Sequence, residues 1–115
     1  MVAGRTTQLV VESPLRRFAE RLHEELGASR VLLFGSRARG MAASDSDYDV
    51  IVVAEHFAHI DPAARARGLR AIWYEEGGDG PMDILCLTPR EFDLSCDRVT
   101  LIAAVAPETI DLLAS

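Results

Sequence analysis

Two segments determine the fold of this 115-residue chain: VLLFGSRARG at residues 31–40 and SDYDVIVVA at residues 46–54. Each includes an uninterrupted apolar run that is too short for an amphipathic helix and is typical of a buried strand. The first run ends at a glycine-serine pair, whereas the second follows directly after two aspartates. The sequence therefore predicts two central strands, with a polar turn ending the first and carboxylates at the start of the second.

Helical patterns flank these strands. A serine-proline signal opens residues 14–26, in which apolar residues recur at helical spacing until a glycine ends the pattern. The polar stretch over residues 37–46 is expected to include a short helix, and residues 62–76 have the pattern of a second long helix. Trp73 and Tyr74 of that helix are predicted to pack on the sheet.

The C-terminal third of the chain predicts another strand and another helix. Residues 82–87 form a third apolar run, and residues 88–91 (Thr-Pro-Arg-Glu) are typical of a helix cap and first turn. Residues 101–105 also have a helical pattern. Residues 109–113 fit either a last strand or a helical turn, and the sequence does not decide between them.

Connection lengths then predict the topology. The long connection between the second and third strands favours a parallel, right-handed crossover. The first two strands must run antiparallel if the glycine-serine end is to lie beside the acids. We therefore expect one α/β (α+β) domain over residues 1–115, with a mixed sheet of three to four strands and helices packed on it in the order αβαβαβα. Residues 1–12 have no assigned function, because they fit an edge strand, an exchanged segment or a loose tail.

Composition excludes several classes of protein. The net charge of −6 argues against a dedicated nucleic-acid binder, so no direct nucleic-acid binding is expected. All twelve cationic side chains are arginines, which excludes a Walker-type phosphate loop and a catalytic lysine. No apolar run is long enough to span a membrane. Cys86 lies in an apolar strand pattern typical of a buried, reduced thiol, and we expect a cytoplasmic location without membrane association.

The acids beside the strands are predicted to form a metal site. Side chains alternate along a strand, so Asp47 and Asp49 point to one face and Tyr48 points to the other, where it joins the core. Asp83 opens the third strand, and parallel neighbouring strands would bring it level with the pair. Carboxylates this close destabilise one another unless a cation is present, and their hard oxygens suit Mg²⁺ or Mn²⁺. Three acids at one end of a sheet predict a two-metal arrangement.

The glycine-serine turn supplies the complementary half of the predicted site. Gly35 permits close backbone approach, and the N-terminus of a following helix favours an anion. Gly35 and Ser36 are therefore predicted to hold phosphate oxygens. Arg37 and Arg39 can offer positive charge to a triphosphate, although both also fit solvated helix positions.

The order of these elements resembles a known family. A Gly-Ser pair at 35–36, ten intervening residues, Asp-Tyr-Asp at 47–49 and a later acid at Asp83 are similar to the motif of the minimal nucleotidyltransferases, relatives of the DNA polymerase beta palm superfamily. The resemblance extends over about residues 14–88. It is specific, because three separated elements agree in order and context.

The resemblance implies a role for each site residue. Asp47 and Asp49 would bind two metal ions, and Asp83 would join at the nucleophile-side ion and help to activate an acceptor hydroxyl. Gly35 and Ser36 would hold the phosphates of the NTP.

The resemblance also implies a partner. Minimal nucleotidyltransferases often occur as antitoxins of HEPN-domain ribonuclease toxins, and some transfer AMP from ATP to a toxin tyrosine. A chain this short is expected to obtain its acceptor-binding surface from such a partner, in a hetero-oligomer. Two other interpretations stay open. One is a non-catalytic antitoxin that neutralises its partner by binding, and the other is a nucleotidyltransferase acting on a small molecule such as an aminoglycoside.

Two alternative metal sites are not favoured by the sequence. The alternating aspartates around Asp47 could suggest a calcium loop, but Val50 stands where that loop needs glycine and His56 stands where it needs glutamate. His56 and His59 have a spacing that binds metal on a helix, but they follow a strand among mixed residues and are interpreted as surface or packing histidines.

Overall fold

The computed structural model describes residues 13–34, 47–96 and 110–113. Its α-helices are α1 Ser13–Leu26, α2 Leu69–Glu75 and α3 Pro89–Cys96, and two 3-10 helices cover Glu55–His59 and Pro62–Ala64. Its strands are β1 Arg30–Phe34, β2 Tyr48–Val53, β3 Met82–Leu87 and β4 Ile110–Asp111. The helices predicted within 37–46 and at 101–105 lie outside the described residues. The C-terminal segment that the sequence left open contains β4.

The strands form one mixed sheet in the order β3-β2-β1-β4. β1 pairs antiparallel with both β2 and β4, whereas β2 and β3 are parallel. The connection between the two parallel strands includes α2, as a parallel crossover requires. The predicted α/β class, the antiparallel first pair and the parallel second pair are therefore confirmed.

One face of the sheet carries the main core. Alternate strand residues point to it, namely Val31, Leu33, Tyr48, Val50, Val52, Met82 and Cys86. The indole of Trp73 from α2 lies against both Phe18 of α1 and Tyr48 of β2, at ring-centroid distances of 6.0 and 5.0 Å. The core positions of Tyr48 and Trp73 are thus confirmed. The predicted packing of Tyr74 is wrong: it is 52% exposed, because the next residue along a helix points about 100° away from its neighbour.

In the described part of the chain, the opposite face of the sheet carries a smaller cluster. This cluster joins Leu32 of β1 and Ile51 and Val53 of β2 to Phe92 of α3. Asp49 belongs to this face, because it alternates with the core-facing Tyr48 along β2. Polar chemistry can therefore occur on this face without disturbing the main core.

The predicted long helix over residues 62–76 is wrong. The chain instead forms a 3-10 turn at Pro62–Ala64, an irregular stretch, and then the seven-residue α2. Gly68 separates the two with φ +81°, a left-handed conformation that costs little for glycine and ends a right-handed helix. The apolar spacing continues across this break, so periodicity alone could not reveal it.

Arg65 and Glu91 hold the irregular stretch before α2 in place against the rest of the fold. The Arg65 side chain is 6% exposed, and its guanidinium binds both carboxylate oxygens of Glu91 at 2.6 and 3.3 Å. Arg65 also donates to the backbone carbonyls of Ile60 and Cys86. The buried guanidinium therefore satisfies groups from three separate segments.

Glu91 also completes the cap of α3. Its carboxylate accepts from the Thr88 amide at 2.8 Å, and the Thr88 hydroxyl accepts from the Glu91 amide at 3.1 Å. This reciprocal pair is the capping box that residues 88–91 predicted.

Two arginines bind the outer side of β3, which lies at one end of the described sheet. Arg70 donates through Nε to the Met82 carbonyl at 2.8 Å, and Arg65 donates to the Cys86 carbonyl at 3.2 Å. Both carbonyls point away from β2, since residues two apart along a strand share one direction.

In the described part of the chain, no helix is long and apolar enough to cross a bilayer.

Candidate active site

The three predicted acids are located at one end of the sheet. Asp49 in β2 is the direct register partner of Asp83 in the parallel strand β3, and Phe34 at the end of β1 is its partner on the other side. Asp47 immediately precedes β2 and, two residues before Asp49, belongs to the same face. The crossover thus brings together two carboxylates that are 34 positions apart in the sequence. Their catalytic role stays a prediction.

The three carboxylates influence one another electrostatically. Partial burial raises the pKa of Asp49 above its usual value, and the negative charges of Asp83 and Asp47 raise it further. The Asp83 side chain is 71% exposed and Asp47 is also exposed, so Asp49 is the innermost member of the group. A cation bound here would relieve this repulsion.

Arg70 is a further residue at this site that the sequence did not indicate. Its Nη2 lies 3.9 Å from Oδ1 of Asp83, while its Nε is held by the Met82 carbonyl. This cation reaches the acids from α2, a different element. Only its position in an apolar helical pattern was visible in the sequence, and the reach of a long exposed side chain leaves no periodic signal.

The donor set fits a divalent metal ion in chemistry. Asp49 and Asp83 are adjacent, Asp47 shares their face, and carboxylate oxygens are the ligands that Mg²⁺ and Mn²⁺ prefer. Within residues 13–34, 47–96 and 110–113, however, no three acidic, histidine or cysteine side chains are close enough together to form a metal site. The fit therefore rests on the adjacent pair and on the raised pKa of Asp49.

The predicted phosphate-binding residues Gly35, Ser36, Arg37 and Arg39 lie outside the described residues. The structure does show where the preceding strand ends. Phe34 closes β1 beside Asp49, so β1 reaches the same end of the sheet as the acids.

Other polar groups lie away from the acids. A cleft of about 330 Å³ is lined by Arg65, Cys86 and Glu91, and burial raises the pKa of the Cys86 thiol to about 11, which keeps it protonated and unreactive. A second cleft of about 460 Å³ lies beside Arg30 and Phe92, at the opposite end of β1. His56 and His59 are exposed, as their interpretation as surface residues requires.

Comparison with known proteins identifies a family. The sequence profile described as "Nucleotidyltransferase domain" matches residues 15–85, which is more than half of the chain. This span includes Asp47, Asp49 and Asp83.

Two solved structures align with this chain. BolA1 from Arabidopsis thaliana aligns with a TM-score of 0.52 and 24% identity, over 70% of this chain and 98% of that one. A Sulfolobus solfataricus protein described as a candidate nucleotidyltransferase aligns with a TM-score of 0.49 and 23% identity, over 89% of this chain and 84% of that one. At 24% identity the likeness to BolA1 concerns the fold alone. The comparison with curated proteins gave no match.

Proposed function

This chain belongs to the nucleotidyltransferase domain family, and from that premise we propose that it is a magnesium-dependent enzyme that transfers AMP from ATP to a protein hydroxyl. We propose a tyrosine of a HEPN-domain toxin as the acceptor, so that the chain acts as an antitoxin. The observation that carries the catalytic part is the register pairing of Asp49 with Asp83 beside Asp47.

The proposed metal ligands are Asp47, Asp49 and Asp83. Two divalent ions bound there would supply Lewis-acid stabilisation of the charge that develops on the phosphate oxygens. Without them, three neighbouring carboxylates would repel a triphosphate, so the chain's own charge disfavours nucleotide binding in the absence of a cation.

The chemical step needs an ionised acceptor oxygen in line with the α-phosphorus. Asp83 is the most suitable proton acceptor of the described residues, because its carboxylate is open to solvent and lies at the rim of the group. The acceptor oxygen forms a bond to the α-phosphorus, the bond between the α-phosphorus and the bridging oxygen breaks, and pyrophosphate leaves. The hydroxyl proton passes to Asp83.

The exposure of two of the acids supports a protein acceptor. Small-molecule sites are usually concave and bury most of their ligand. The Asp47 and Asp83 side chains are exposed. A tyrosine presented by another protein could reach Asp83 at such a rim. The HEPN identity of the partner is supported by the resemblance of the motif to minimal nucleotidyltransferases.

The test is the intact mass of the partner that co-purifies with the chain, after incubation with ATP and MgCl₂. We expect the partner to gain mass in whole AMP units. The gain should be lost with EDTA and with the Asp47→Asn, Asp49→Asn double variant. Asp93→Asn in α3 is the matched control, because it removes an exposed carboxylate that lines the cleft at the opposite end of β1 from the acids. This control should retain full transfer.

Two outcomes would redirect the proposal. A stable complex without any mass gain, together with neutralisation in cells that survives the double variant, would indicate a non-catalytic antitoxin. Pyrophosphate release by the isolated chain with an aminoglycoside, without the partner, would indicate a small-molecule acceptor.

A further inference from the structure

Arg70 connects the two sides of strand β3. It belongs to α2, which packs on the main-core face, and its Nε donates to the backbone carbonyl of Met82. Its Nη2 lies 3.9 Å from a carboxylate oxygen of Asp83, a residue that points to the opposite face. The side chain therefore passes around the end strand of the described sheet and brings a positive charge to the rim of the acids.

This contact has two properties that matter for its role. In the described part of the chain, Arg70 is the one guanidinium within 4.0 Å of Asp47, Asp49 or Asp83. The distance to Asp83 is also longer than a hydrogen bond, and both side chains are more than half exposed, at 54% and 71%. The backbone carbonyl thus fixes the guanidinium in place, while its attraction to the carboxylate is weak and easily reversed.

We propose that Arg70 is a positioning residue that acts as a built-in countercharge for Asp83 and yields that carboxylate to the divalent cation when the cation binds. This inference rests on the proposed function, which makes Asp83 a metal ligand. In the metal-free protein the guanidinium offsets part of the repulsion among the acids. In the metal-bound protein Asp83 turns from Arg70 to the ion, while the bond to the Met82 carbonyl keeps Arg70 nearby.

The proposal has a thermodynamic consequence. A guanidinium and a metal ion that use the same carboxylate oppose each other, and such coupling is reciprocal. Removing the charge of Arg70 should therefore tighten metal binding and destabilise the metal-free fold. A purely structural role for Arg70 predicts destabilisation without any gain in metal affinity.

The test uses Mn²⁺ alone as the probe, with free Mn²⁺ measured by electron paramagnetic resonance during titration. Arg70→Gln should bind Mn²⁺ about threefold more tightly than the wild type, the size expected for an exposed ion pair. Its melting temperature in EDTA should be lower. Arg70→Lys keeps the charge and should stay within about a factor of two of the wild type. Arg90→Gln, an exposed arginine of α3, makes the same change in net charge and should leave Mn²⁺ affinity unchanged.

An Asp83→Asn background identifies the route of the effect. If Arg70 acts on the metal through Asp83, Arg70→Gln should not change Mn²⁺ affinity further in that background, whereas loss of its bond to the Met82 carbonyl should still lower the melting temperature. Circular dichroism confirms that each variant is folded. Should Arg70→Gln fail to fold, Arg70→Met removes the same charge and takes its place in the titration.

The outcomes separate this proposal from the one on which it rests. If Mn²⁺ binding by the wild type depends on Asp47 and Asp49 but Arg70→Gln leaves it unchanged or weaker, the countercharge role is wrong and the proposed function stands. A gain in Mn²⁺ affinity from Arg70→Gln that persists undiminished in Asp83→Asn also overturns it. If the Asp47→Asn, Asp49→Asn variant binds Mn²⁺ as well as the wild type, the metal assignment fails and both proposals fall.

Discussion

Asp49 illustrates how a single residue at this site opposes the stability of the fold. It is half-buried on the sheet, has Asp83 as its direct neighbour and lies two residues from Asp47. Burial and the two negative charges raise its pKa, which means that its ionised form is less stable in the folded chain than in water. A residue selected only for folding would not carry a charge at this position.

We expect Asp49→Asn to stabilise the metal-free protein while abolishing AMP transfer. The amide keeps the size of the side chain and removes the charge, so the gain should be of the order of 0.5–2 kcal/mol. Urea unfolding in EDTA measures this gain, with Asp93→Asn as the control expected to stay within about 0.5 kcal/mol of the wild type. A less stable Asp49→Asn variant would show that the carboxylate makes a favourable contact that outweighs the repulsion.

The sequence predicted the acids far better than their surroundings. The alternation of a strand placed Tyr48 in the core and Asp49 on the opposite face, because that rule depends only on backbone geometry. Arg70 was missed, because its position depends on how far a flexible side chain extends across a neighbouring strand. Exposed Tyr74 was misplaced, since it is adjacent in sequence to a buried tryptophan.

Helix α3 shows how one side chain can serve two elements. Glu91 caps the helix through the Thr88 amide and pairs with the nearly buried guanidinium of Arg65. The hydrogen bonds from Arg65 and from the Thr88 amide lower the pKa of Glu91 below its ordinary value of 4.5. The start of α3 and the break before α2 are therefore stabilised by the same carboxylate.

Glu91→Gln should destabilise the fold by about 1–2 kcal/mol at pH 7, a value reduced by the exposure of the Glu91 side chain. Because the folded pKa is lower than the unfolded one, this contribution is complete above about pH 4.5 and is lost as the pH falls through the folded pKa. The two proteins should thus converge in stability in acid. Urea titrations at pH 7 and at successively lower pH measure the difference, and a gap that persists after protonation would contradict the assigned charge effect.

At the element scale, strands were more predictable than helices. The third strand was predicted over the residues that form it, because a short apolar run between turn signals has few other solutions. The long helix over 62–76 was not found, because Gly68 and the buried Arg65 interrupt it while the apolar spacing continues. Hydrophobic periodicity reports which residues face the core, and an irregular segment can satisfy it as well as a helix.

The molecule as a whole divides its sheet between stability and chemistry. Among the described residues, the main core joins α1 and α2 to one face, whereas the face with the acids has a smaller cluster around Phe92. The topology that brings Asp49 beside Asp83 was predictable, because a connection of this length between two strands favours a parallel, right-handed crossover. The relative size of the two clusters was not, since it depends on side-chain packing across the complete fold.

This division predicts unequal effects of core truncation. Phe18→Ala should cost about 3–5 kcal/mol and leave the protein close to unfolding, given a typical total stability of about 5–15 kcal/mol. Phe92→Ala should cost less, because Phe92 is 7% exposed whereas Phe18 is fully buried, and because its cluster is smaller. Urea unfolding compares the two, with Leu94→Ala on the exposed side of α3 as a control. Equal losses of stability would contradict this prediction, because they would show that the two clusters contribute equally to the stability of the fold.

The arginine contacts along β3 also bear on self-assembly. A strand at the end of a sheet offers backbone groups to any extended peptide, and such pairing is a first step towards fibrils. In β3, at the end of the described sheet, the Met82 and Cys86 carbonyls are already occupied by Arg70 and Arg65, so an incoming strand would have to displace both guanidinium groups. Each arginine blocks a carbonyl and approaches a carboxylate at the same time, which the single ammonium group of a lysine could not do with the same geometry. Because the chain contains arginine and no lysine, both contacts can form, and they oppose aggregation at the strand that carries Asp83.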